Sequence, residues 1–251
     1  MVNILVCGIN GAVGKRVYLA SKNNDAINVV CGIDVNFDSY IGFDCPVYSS
    51  FDQVKEIVDV IIDFSVPSAI NDVLDFAVEN GCALVEGVTG FSAKEKEKIS
   101  EASEKIPVFM PTNVSLGVNV LLKLCLKAAE SLDGNFDVEI VEEHNACKAN
   151  SPSMTSKMIA EAIGEALGKK RIISGRKGNE ERKHDEICIH SIRGGNVNGK
   201  TTVMFIGEDE TVSITQEVHN KTLFAQGACD IAQFINGKKP GLYNLEQYFK
   251  N

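Results

Sequence analysis

The fold is decided by one stretch near the start of this 251-residue chain, Val2-Asn-Ile-Leu-Val-Cys-Gly8-Ile-Asn-Gly11-Ala-Val-Gly14. A short apolar run followed by three glycines at three-residue intervals is typical of a buried strand that turns tightly into a helix. Glycines let the backbone approach a pyrophosphate closely, and the helix N-terminus offers N–H groups to the negative charge. The stretch therefore predicts a nucleotide site; a plain strand–turn–helix corner is the alternative.

A second predicted strand ends at Asp34, 20 residues beyond Gly14. A carboxylate at this spacing can accept hydrogen bonds from an adenosine ribose. It also repels a 2′-phosphate, which favours NADH over NADPH. Lys15 and Arg16 are close enough in sequence to reach such a phosphate, so use of both cofactors stays open.

The first half of the chain alternates apolar strands with helical stretches. Strands are predicted at 4–7, 27–33, 58–64, 83–88 and 108–110, with helices at 67–79 and 92–105. The second of these helices opens with the capping box Ser92-Ala-Lys-Glu95. Continuous apolar strands that alternate with helices predict an α/β fold with a parallel sheet covered on both faces.

Two further loops follow predicted strands, where open α/β sheets bind ligands. They are Asp63-Phe-Ser-Val-Pro67 and Glu86-Gly-Val-Thr-Gly-Phe91. The second loop combines glycines with a threonine hydroxyl, which suits close backbone approach to a nicotinamide; ordinary turn chemistry is the alternative for both. The cofactor-binding residues predicted from these segments are Gly8, Asn10, Gly11, Ala12, Val13, Gly14, Asp34, Phe64, Ser65, Gly87, Val88 and Thr89.

The pattern changes in the second half. After a predicted helix at 117–130, residues 136–140 alternate between apolar and polar, as in a half-buried strand. A helix at 155–167 and strands at 186–192, 201–206 and 211–218 follow. These elements predict an α+β domain with an open sheet, mixed or mostly antiparallel, and helices on one side.

The last predicted helix, 223–235, has apolar residues at helical spacing and is expected to pack back on the first half. The division is therefore a dinucleotide-binding domain at 1–113, completed by 222–251, and a domain for substrate binding and oligomerisation at 114–221.

The chemistry of the second domain centres on Val141-Glu-Glu-His-Asn-Ala-Cys-Lys-Ala-Asn-Ser-Pro-Ser-Met-Thr155. His144 and Lys148 are predicted to be catalytic, because histidine exchanges protons near neutral pH and lysine supplies a cation or an acid. Ser153 is suited to cap the next helix, whose first N–H groups, from Met154 and Thr155, can bind a carboxylate. A structural role is the alternative for a histidine at a strand end.

Charge and composition narrow the partners. The net charge of −9 argues against a nucleic-acid or anionic membrane surface, and no apolar run reaches the roughly 18 residues of a spanning helix. The eight cysteines are dispersed and no Cys/His spacing indicates a metal site. We therefore expect reduced thiols, no metal, a cytoplasmic protein and a small anionic substrate.

The motifs together resemble the 4-hydroxy-tetrahydrodipicolinate reductase (dihydrodipicolinate reductase) family of bacterial lysine and diaminopimelate biosynthesis. The matching motifs are Gly8-x-x-Gly11-x-x-Gly14, Asp63-Phe-Ser-x-Pro67, Gly87-Val-Thr-Gly-Phe91, Asn113-Val-Ser-Leu-Gly-Val-Asn119, His144-x-x-x-Lys148, Pro152-Ser-x-Thr155, Ser191-Ile-Arg-Gly194 and Phe224-Ala-x-Gly227. The resemblance implies a homotetramer with a Rossmann-type domain. It also implies NADH or NADPH as hydride donor and a cyclic imine dicarboxylate as substrate. Pro111 and Asn113 join the predicted cofactor site.

The substrate motif departs from the family pattern His-His-x-x-Lys-x-Asp-(Ala/Ser)-Pro-Ser-Gly-Thr. Asn145, Asn150 and Met154 replace the second His, the Asp and the Gly, and a Gly-His-Thr further on is Gly199-Lys-Thr201. Asn145 can hydrogen-bond a carboxylate without carrying charge. Met154 keeps its N–H but adds a side chain. These changes leave open a reductase of another imine or keto acid.

By the resemblance, His144 and Lys148 form the catalytic pair. The expected substrate-binding residues are Asn145, Lys148, Ser153, Met154 and Thr155, and Arg193 is a candidate support for the pocket. A catalytically inactive dinucleotide-binding regulator is a further alternative. The retained histidine and lysine speak against it.

Overall fold

A computed structural model of the chain describes residues 1–37, 42–110, 114–132, 136–168, 171–220 and 222–248. The predicted cofactor residues Pro111 and Asn113 lie outside these ranges. The chain divides into two compact units, of which the first comprises Met1–Val114 and Thr222–Asn251 and the second Ser115–Lys221.

The first unit is built on a seven-stranded sheet in which every neighbouring pair is parallel. Numbered along the chain, its strands are β1 Val2–Cys7, β2 Ile27–Ile33, β3 Val47–Tyr48, β4 Val60–Asp63, β5 Ala83–Glu86, β6 Pro107–Phe109 and β12 Gly241–Tyr243. Their order, β12-β6-β5-β4-β1-β2-β3, confirms the predicted parallel sheet. The chain leaves β1 toward β2 and returns to β4 on the other side, which opens a crevice at the carboxyl ends of these central strands.

Helices cover both faces of this sheet. They are α1 Gly14–Ser21, α2 Ile70–Asn80, α3 Ala93–Ser103, α6 Thr222–Ile235 and α7 Leu245–Tyr248. On one face, Ile61 and Leu84 pack in a cluster with Val73 of α2 and Ile99 of α3. On the other, α6 contacts β4, β5 and α1. Burial on both faces explains why these strands are continuous apolar runs.

Some element bounds differ from the sequence-based expectation. The helix predicted at 67–79 begins as the 3-10 turn Pro67–Ala69, and α2 starts only at Ile70. β3 and β12 are not predicted. They lie at the two edges of the sheet and have no buried residue, so they lack the apolar run of the central strands.

The second unit is a five-stranded sheet with two helices on one face. Its strands are β7 Asp137–His144, β8 Arg171–Ser174, β9 Glu186–Arg193, β10 Lys200–Ile206 and β11 Thr211–Glu217, and its helices are α4 Leu116–Ser131 and α5 Met154–Leu167. The order is β11-β10-β7-β9-β8. β10 is antiparallel to both β7 and β11, whereas β9 is parallel to both β7 and β8.

This sheet is therefore mixed rather than mostly antiparallel. The reason is the crossover through α5, which carries the chain back so that β8 runs in the same direction as β7. β8 itself is not predicted from the sequence. The helical face is lined by apolar residues such as Ile140 and Phe205, packed against Leu121 of α4 and Ile159 of α5.

Candidate active site

The glycine turn after β1 adopts a conformation that needs its glycines. Gly8 has φ +70°, and a Cβ on it would lie 2.7 Å from the carbonyl oxygen of Phe64. A Cβ on Gly14 would collide with the carbonyl of Gly8. The turn is anchored by hydrogen bonds from Gly8 N–H to Ile33 O at 2.8 Å and from Gly11 N–H to Gly8 O at 2.9 Å. It thus brings bare backbone to the carboxyl edge of the sheet.

Asp34 lies against this turn. Its carboxylate accepts the N–H groups of Asn10 at 2.9 Å and Asn36 at 3.0 Å, and the Asn10 amide donates to Asn36 O at 2.8 Å. Arg16 donates to the carbonyl of Ala12 in the turn just before its helix. The position predicted to meet the ribose is therefore anionic, and the Arg16 guanidinium is bound elsewhere.

Two adjoining cavities of about 270 Å³ each lie along this edge. Of the predicted cofactor residues that the structure describes, all but Asn10 and Gly14 line one or both. The first cavity is lined by Gly8, Gly11, Asp34, Phe64 and Ser65, and the second by Ala12, Val13, Phe64, Ser65, Gly87, Val88 and Thr89. Gly87 lies against the Phe64 ring, which leaves no space there for a side chain.

Several buried polar atoms at this edge have no hydrogen-bond partner among the described residues. They are Asn10 Oδ1, Asp63 Oδ2, Ser65 Oγ and Glu86 Oε2. Buried polar atoms in native proteins are nearly always paired, so each such atom calls for an explanation. A ligand rich in hydroxyl and amide groups can serve Ser65, which lines both cavities. The glycine turn, the anionic Asp34 and these atoms fit a dinucleotide.

His144 ends β7 in the second unit. Its Nδ1 lies 3.9 Å from Oε2 of Glu142, and its carbonyl accepts the N–H of Gly194 at 3.0 Å. Its Nε2 approaches Gly199, where a Cβ would be 3.4 Å away. The ring is thus set between a buried carboxylate and bare backbone.

The loop after His144 is a tight turn. Lys148 N–H donates to Asn145 O at 3.1 Å, and the Asn145 side-chain oxygen accepts the N–H of Cys147 at 3.1 Å. This side-chain oxygen therefore shapes the loop that carries Lys148. Asn145 has an N–H₂ group left as the donor for a substrate.

Glu142 is the centre of the polar network beneath this loop. It is fully buried and accepts hydrogen bonds from Ser153 N–H at 3.0 Å, Ser156 Oγ at 2.7 Å and Ser191 Oγ at 2.8 Å. Burial alone raises the pKa of Glu142, but these bonds and one from Arg193 lower it to about 2. The carboxylate is therefore ionised at neutral pH.

Arg193 connects this carboxylate to the loop that carries Lys148. Its guanidinium donates to Glu142 Oε1 at 2.8 Å, to Lys148 O at 3.2 Å and to Asn150 O at 2.6 Å. A planar guanidinium can hold three acceptors in fixed directions. Arg193 thus fixes the backbone around Lys148.

The predicted helix start is present at Ser153. Its hydroxyl accepts the N–H of Ser156 at 3.2 Å, which makes it the N-cap of α5. Met154 and Thr155 form the first turn, where backbone N–H groups point out of the helix. The Met154 side chain is 68% exposed, so it does not fill the interior.

Lys200, which stands where the family has a histidine, lies on the other face of the sheet from the buried Thr201. Its Nζ is 3.3 Å from Oε1 of Glu143 on the neighbouring strand. The lysine is therefore part of a cross-strand ion pair.

Glu142, Ser156 and Ser191 belong to this network, although none of them is among the site residues predicted from the sequence. A signal exists for Glu142, because it continues the inward-facing series Val138 and Ile140 of an alternating strand. A carboxylate at such a position must find partners inside the protein. Its partners Ser191 and Arg193 lie 49 and 51 residues further along the chain, and sequence alone does not pair them.

A second polar cluster lies on the helix-free face of this sheet. Glu139, Cys188 and His190 place three potential metal ligands within 4.8 Å of one another. Glu139 already receives Arg176, Arg182 and His190 at 3.4, 3.2 and 2.6 Å. Because two of these partners are permanent cations, the cluster is explained as an ion-pair network.

Among the residues that the structure describes, no helix has the length and apolar character required to cross a membrane. All eight cysteines are free.

Comparison with known proteins gives full-length matches. Family models described as dihydrodipicolinate reductase, N-terminus and C-terminus, match residues 2–114 and 117–249. The 4-hydroxy-tetrahydrodipicolinate reductase of Caldanaerobacter subterraneus subsp. tengcongensis is 41% identical over 100% of this chain and 99% of its own. That of Alkaliphilus oremlandii is 38% identical over 97% of each.

A similar solved structure is dipicolinate-bound dihydrodipicolinate reductase from Paenisporosarcina sp. TG-14. It has a TM-score of 0.81 and 22% identity and covers 97% of both chains. At this identity the likeness supports the fold, and the family assignment rests on the sequence matches. The chain belongs to the dihydrodipicolinate reductase family.

Proposed function

We propose that this protein reduces 4-hydroxy-tetrahydrodipicolinate to tetrahydrodipicolinate with NADH or NADPH, a step of lysine and diaminopimelate biosynthesis. The observation that carries the proposal is the full-length match to relatives of that name, 41% identical in the first case. The retained His144 and Lys148 on a loop braced by Arg193 support it. The alternative of an inactive regulator leaves that arrangement without a role.

Each group has a separate role in the proposed reduction. A bound nicotinamide cofactor supplies the hydride. Met154 and Thr155 donate backbone N–H groups to a substrate carboxylate at the positive end of α5. Lys148 or His144 then delivers a proton to the carbon skeleton, and the buried carboxylate of Glu142 lies 3.9 Å from Nδ1 of His144.

The proposal is tested by measuring turnover of 4-hydroxy-tetrahydrodipicolinate, the condensation product of an aldehyde and pyruvate. His144→Gln and Lys148→Ala should each lower kcat by about 10²- to 10⁴-fold, the usual contribution of a positioned acid, and leave cofactor affinity within about twofold. His184→Gln and Lys177→Ala are matched controls, since both residues are exposed and outside the site. Wild-type turnover in both site variants contradicts the assignment.

A second candidate is reduction of a different imine or keto acid. It is favoured by Asn145, whose side-chain oxygen is engaged in the loop and which carries no charge. Related imines and keto acids assayed beside the lysine-pathway compound separate the two proposals, because the physiological substrate has the highest kcat/KM. Tight dinucleotide binding without turnover on any of them would instead support a regulator.

The preference for NADH is a further proposal. It is supported by the Asp34 carboxylate beside the glycine turn and by the engagement of Arg16 with Ala12 O. We expect a higher kcat/KM with NADH than with NADPH. Asp34→Ser should narrow that ratio by about tenfold, because removing a like charge beside a 2′-phosphate is worth about 1 kcal/mol or more near a surface. An exposed control is Asp52→Ser, and an unchanged ratio in the Asp34 variant refutes the proposal.

The remaining assignments follow from the family. Residues 1–113 with 222–251 bind the dinucleotide, and residues 114–221 bind a small dicarboxylate and form a homotetramer in the cytoplasm. Sedimentation of the purified protein at several concentrations tests the tetramer, and a monomer at micromolar concentration contradicts it.

A further inference from the structure

Two acidic residues lie side by side inside the first unit. Asp63 ends β4 and Glu86 ends β5, and the two residues are direct partners in the parallel register. They are 0% and 1% exposed. The residues two positions earlier on the same face, Ile61 and Leu84, belong to the apolar cluster under α2 and α3. A pair of carboxyl groups thus replaces apolar side chains at the top of this layer.

Each carboxyl group holds one of the two cofactor loops. Asp63 Oδ1 accepts the N–H of Ser65 at 2.8 Å, and Glu86 Oε1 accepts the N–H of Val88 at 2.8 Å. Ser65 and Val88 both line the cavity that contains Thr89. The pair therefore lies directly beneath the surface predicted to meet the nicotinamide half of the dinucleotide.

The outer oxygens of the pair, Asp63 Oδ2 and Glu86 Oε2, have no partner among the described residues. Burial, and then the charge of Asp63, raises the pKa of Glu86 to about 9, and burial also raises the pKa of Asp63. Two adjacent buried carboxylates cannot both ionise at neutral pH, so such a pair retains one proton. A proton on one of the two carboxyl groups turns that group into a hydrogen-bond donor, and the other carboxyl group belongs to its partner in the register.

Among the described residues, no cation contributes to the pKa shifts of this pair. Cys7 is the neighbour on β1, and burial raises its pKa well above 9, so it is a neutral thiol. The charged groups on the helices packed against the sheet are exposed or bonded elsewhere. On α2, Asp72, Asp75 and Glu79 are exposed. On α3, Glu95 accepts from Ser92 and Lys98 donates to Asn71, and on α6 Asp230 accepts from Gln226.

We propose that Asp63 and Glu86 share a single proton and act as positioning residues that hold the 64–67 and 87–91 loops in the conformation that binds the dinucleotide. The inference deepens the proposed function and rests on it. In the step concerned, Glu86 Oε2–H donates to Asp63 Oδ2. Loss of that proton to solvent leaves two repelling anions, which push the two loops apart.

The consequence is alkaline loss of cofactor affinity. Raising the pH from 7 to 10 should weaken NADH binding by about tenfold, because one pH unit above a pKa leaves about a tenth of the molecules protonated. Glu86→Gln keeps an acceptor for Val88 and a donor for Asp63 without a titrating proton, so it should abolish this dependence. Asp63→Asn removes the repelling charge, so it should also abolish the pH dependence of NADH binding. It replaces Glu86→Gln in the experiment if that variant does not fold.

The experiment measures NADH binding by fluorescence at pH 7 to 10 for wild type, Glu86→Gln, Asp63→Asn and the exposed control Glu97→Gln. Hydrogen exchange of the unliganded proteins reports the loops independently. In wild type and the control, protection of peptides that cover 64–67 and 87–91 should fall above about pH 9, and in the two pair variants it should stay constant.

The results separate the inference from the proposed function. The inference is overturned if the pair variants follow the wild-type pH dependence, if wild type shows none, or if no dinucleotide binds. NADH binding with the expected pH profile but no turnover of the lysine-pathway substrate refutes only the proposed function.

Discussion

Arg193 and Glu142 hold the loop that carries Lys148 in place through hydrogen bonds. His144 and Lys148 are only four residues apart, but their loop is held in place by a carboxylate inside the sheet–helix layer and a guanidinium from β9. Partners of this kind set the geometry of reacting groups, which can change rates by about a hundredfold for a displacement of about 1 Å. The proposed catalytic pair therefore depends on Glu142 and Arg193 for its placement.

Arg193→Lys tests this dependence. A lysine keeps the positive charge but cannot donate in fixed directions to Glu142, Lys148 O and Asn150 O together. We expect kcat to fall by about 10- to 100-fold with NADH affinity unchanged. The exposed Lys177→Arg is the control for a basic exchange. Wild-type kcat in Arg193→Lys would show that the loop holds its shape without the guanidinium.

At the scale of elements, two helix starts that have a side-chain cap, those of α3 and α5, are predictable from the sequence. The capping box expected at the start of α3 is present: Ser92 Oγ accepts Glu95 N–H, and Glu95 accepts Ser92 N–H at 2.6 Å. Such boxes are readable because both partners lie within one turn. By contrast, β3, β8 and β12 are not predicted. Each lies at the edge of its sheet and has no buried residue, so it lacks the apolar run that marks the central strands.

Ser92→Ala should destabilise the first unit by about 1 kcal/mol, because the first turn of α3 loses its side-chain acceptor. Ser100→Ala, at an exposed position inside the same helix, should stabilise the first unit by a few tenths of a kcal/mol, because alanine has a higher helix propensity than serine. Urea unfolding followed by circular dichroism measures both. Equal effects of the same sign would contradict the capping role.

At the scale of the whole molecule, Glu86 and Glu142, one in each unit, make opposite contributions to the pH dependence of stability. The pKa of Glu86 in the first unit is raised from 4.5 to about 9, so the stability it contributes is complete below pH 4.5 and is lost as pH rises toward 9. The pKa of Glu142 in the second unit is lowered from 4.5 to about 2, so its stability is complete above pH 4.5 and is lost as pH falls toward 2.

Calorimetry at pH 3 to 9 checks this. Each group changes the free energy of unfolding by up to about 1.4 kcal/mol per pH unit within its window. Glu86→Gln should flatten the alkaline decline. Glu142→Gln should flatten the acid decline and lower stability at pH 7 by about 3 kcal/mol, because Arg193 loses its buried partner. The exposed Glu97→Gln is the control, and wild-type slopes in both site variants would contradict the assignment.

The sequence by itself determined the glycine turn, the alternation of strands with helices, the cap of α5 and the neighbourhood of His144 and Lys148. These are local properties, set by backbone sterics and by side-chain periods of 2 and 3.6 residues. Only the tertiary structure decided that Asp63 meets Glu86 and that Glu142 meets Ser191 and Arg193. Those contacts depend on which strands are neighbours and in what register, and register is settled by packing across the whole sheet rather than by any short segment.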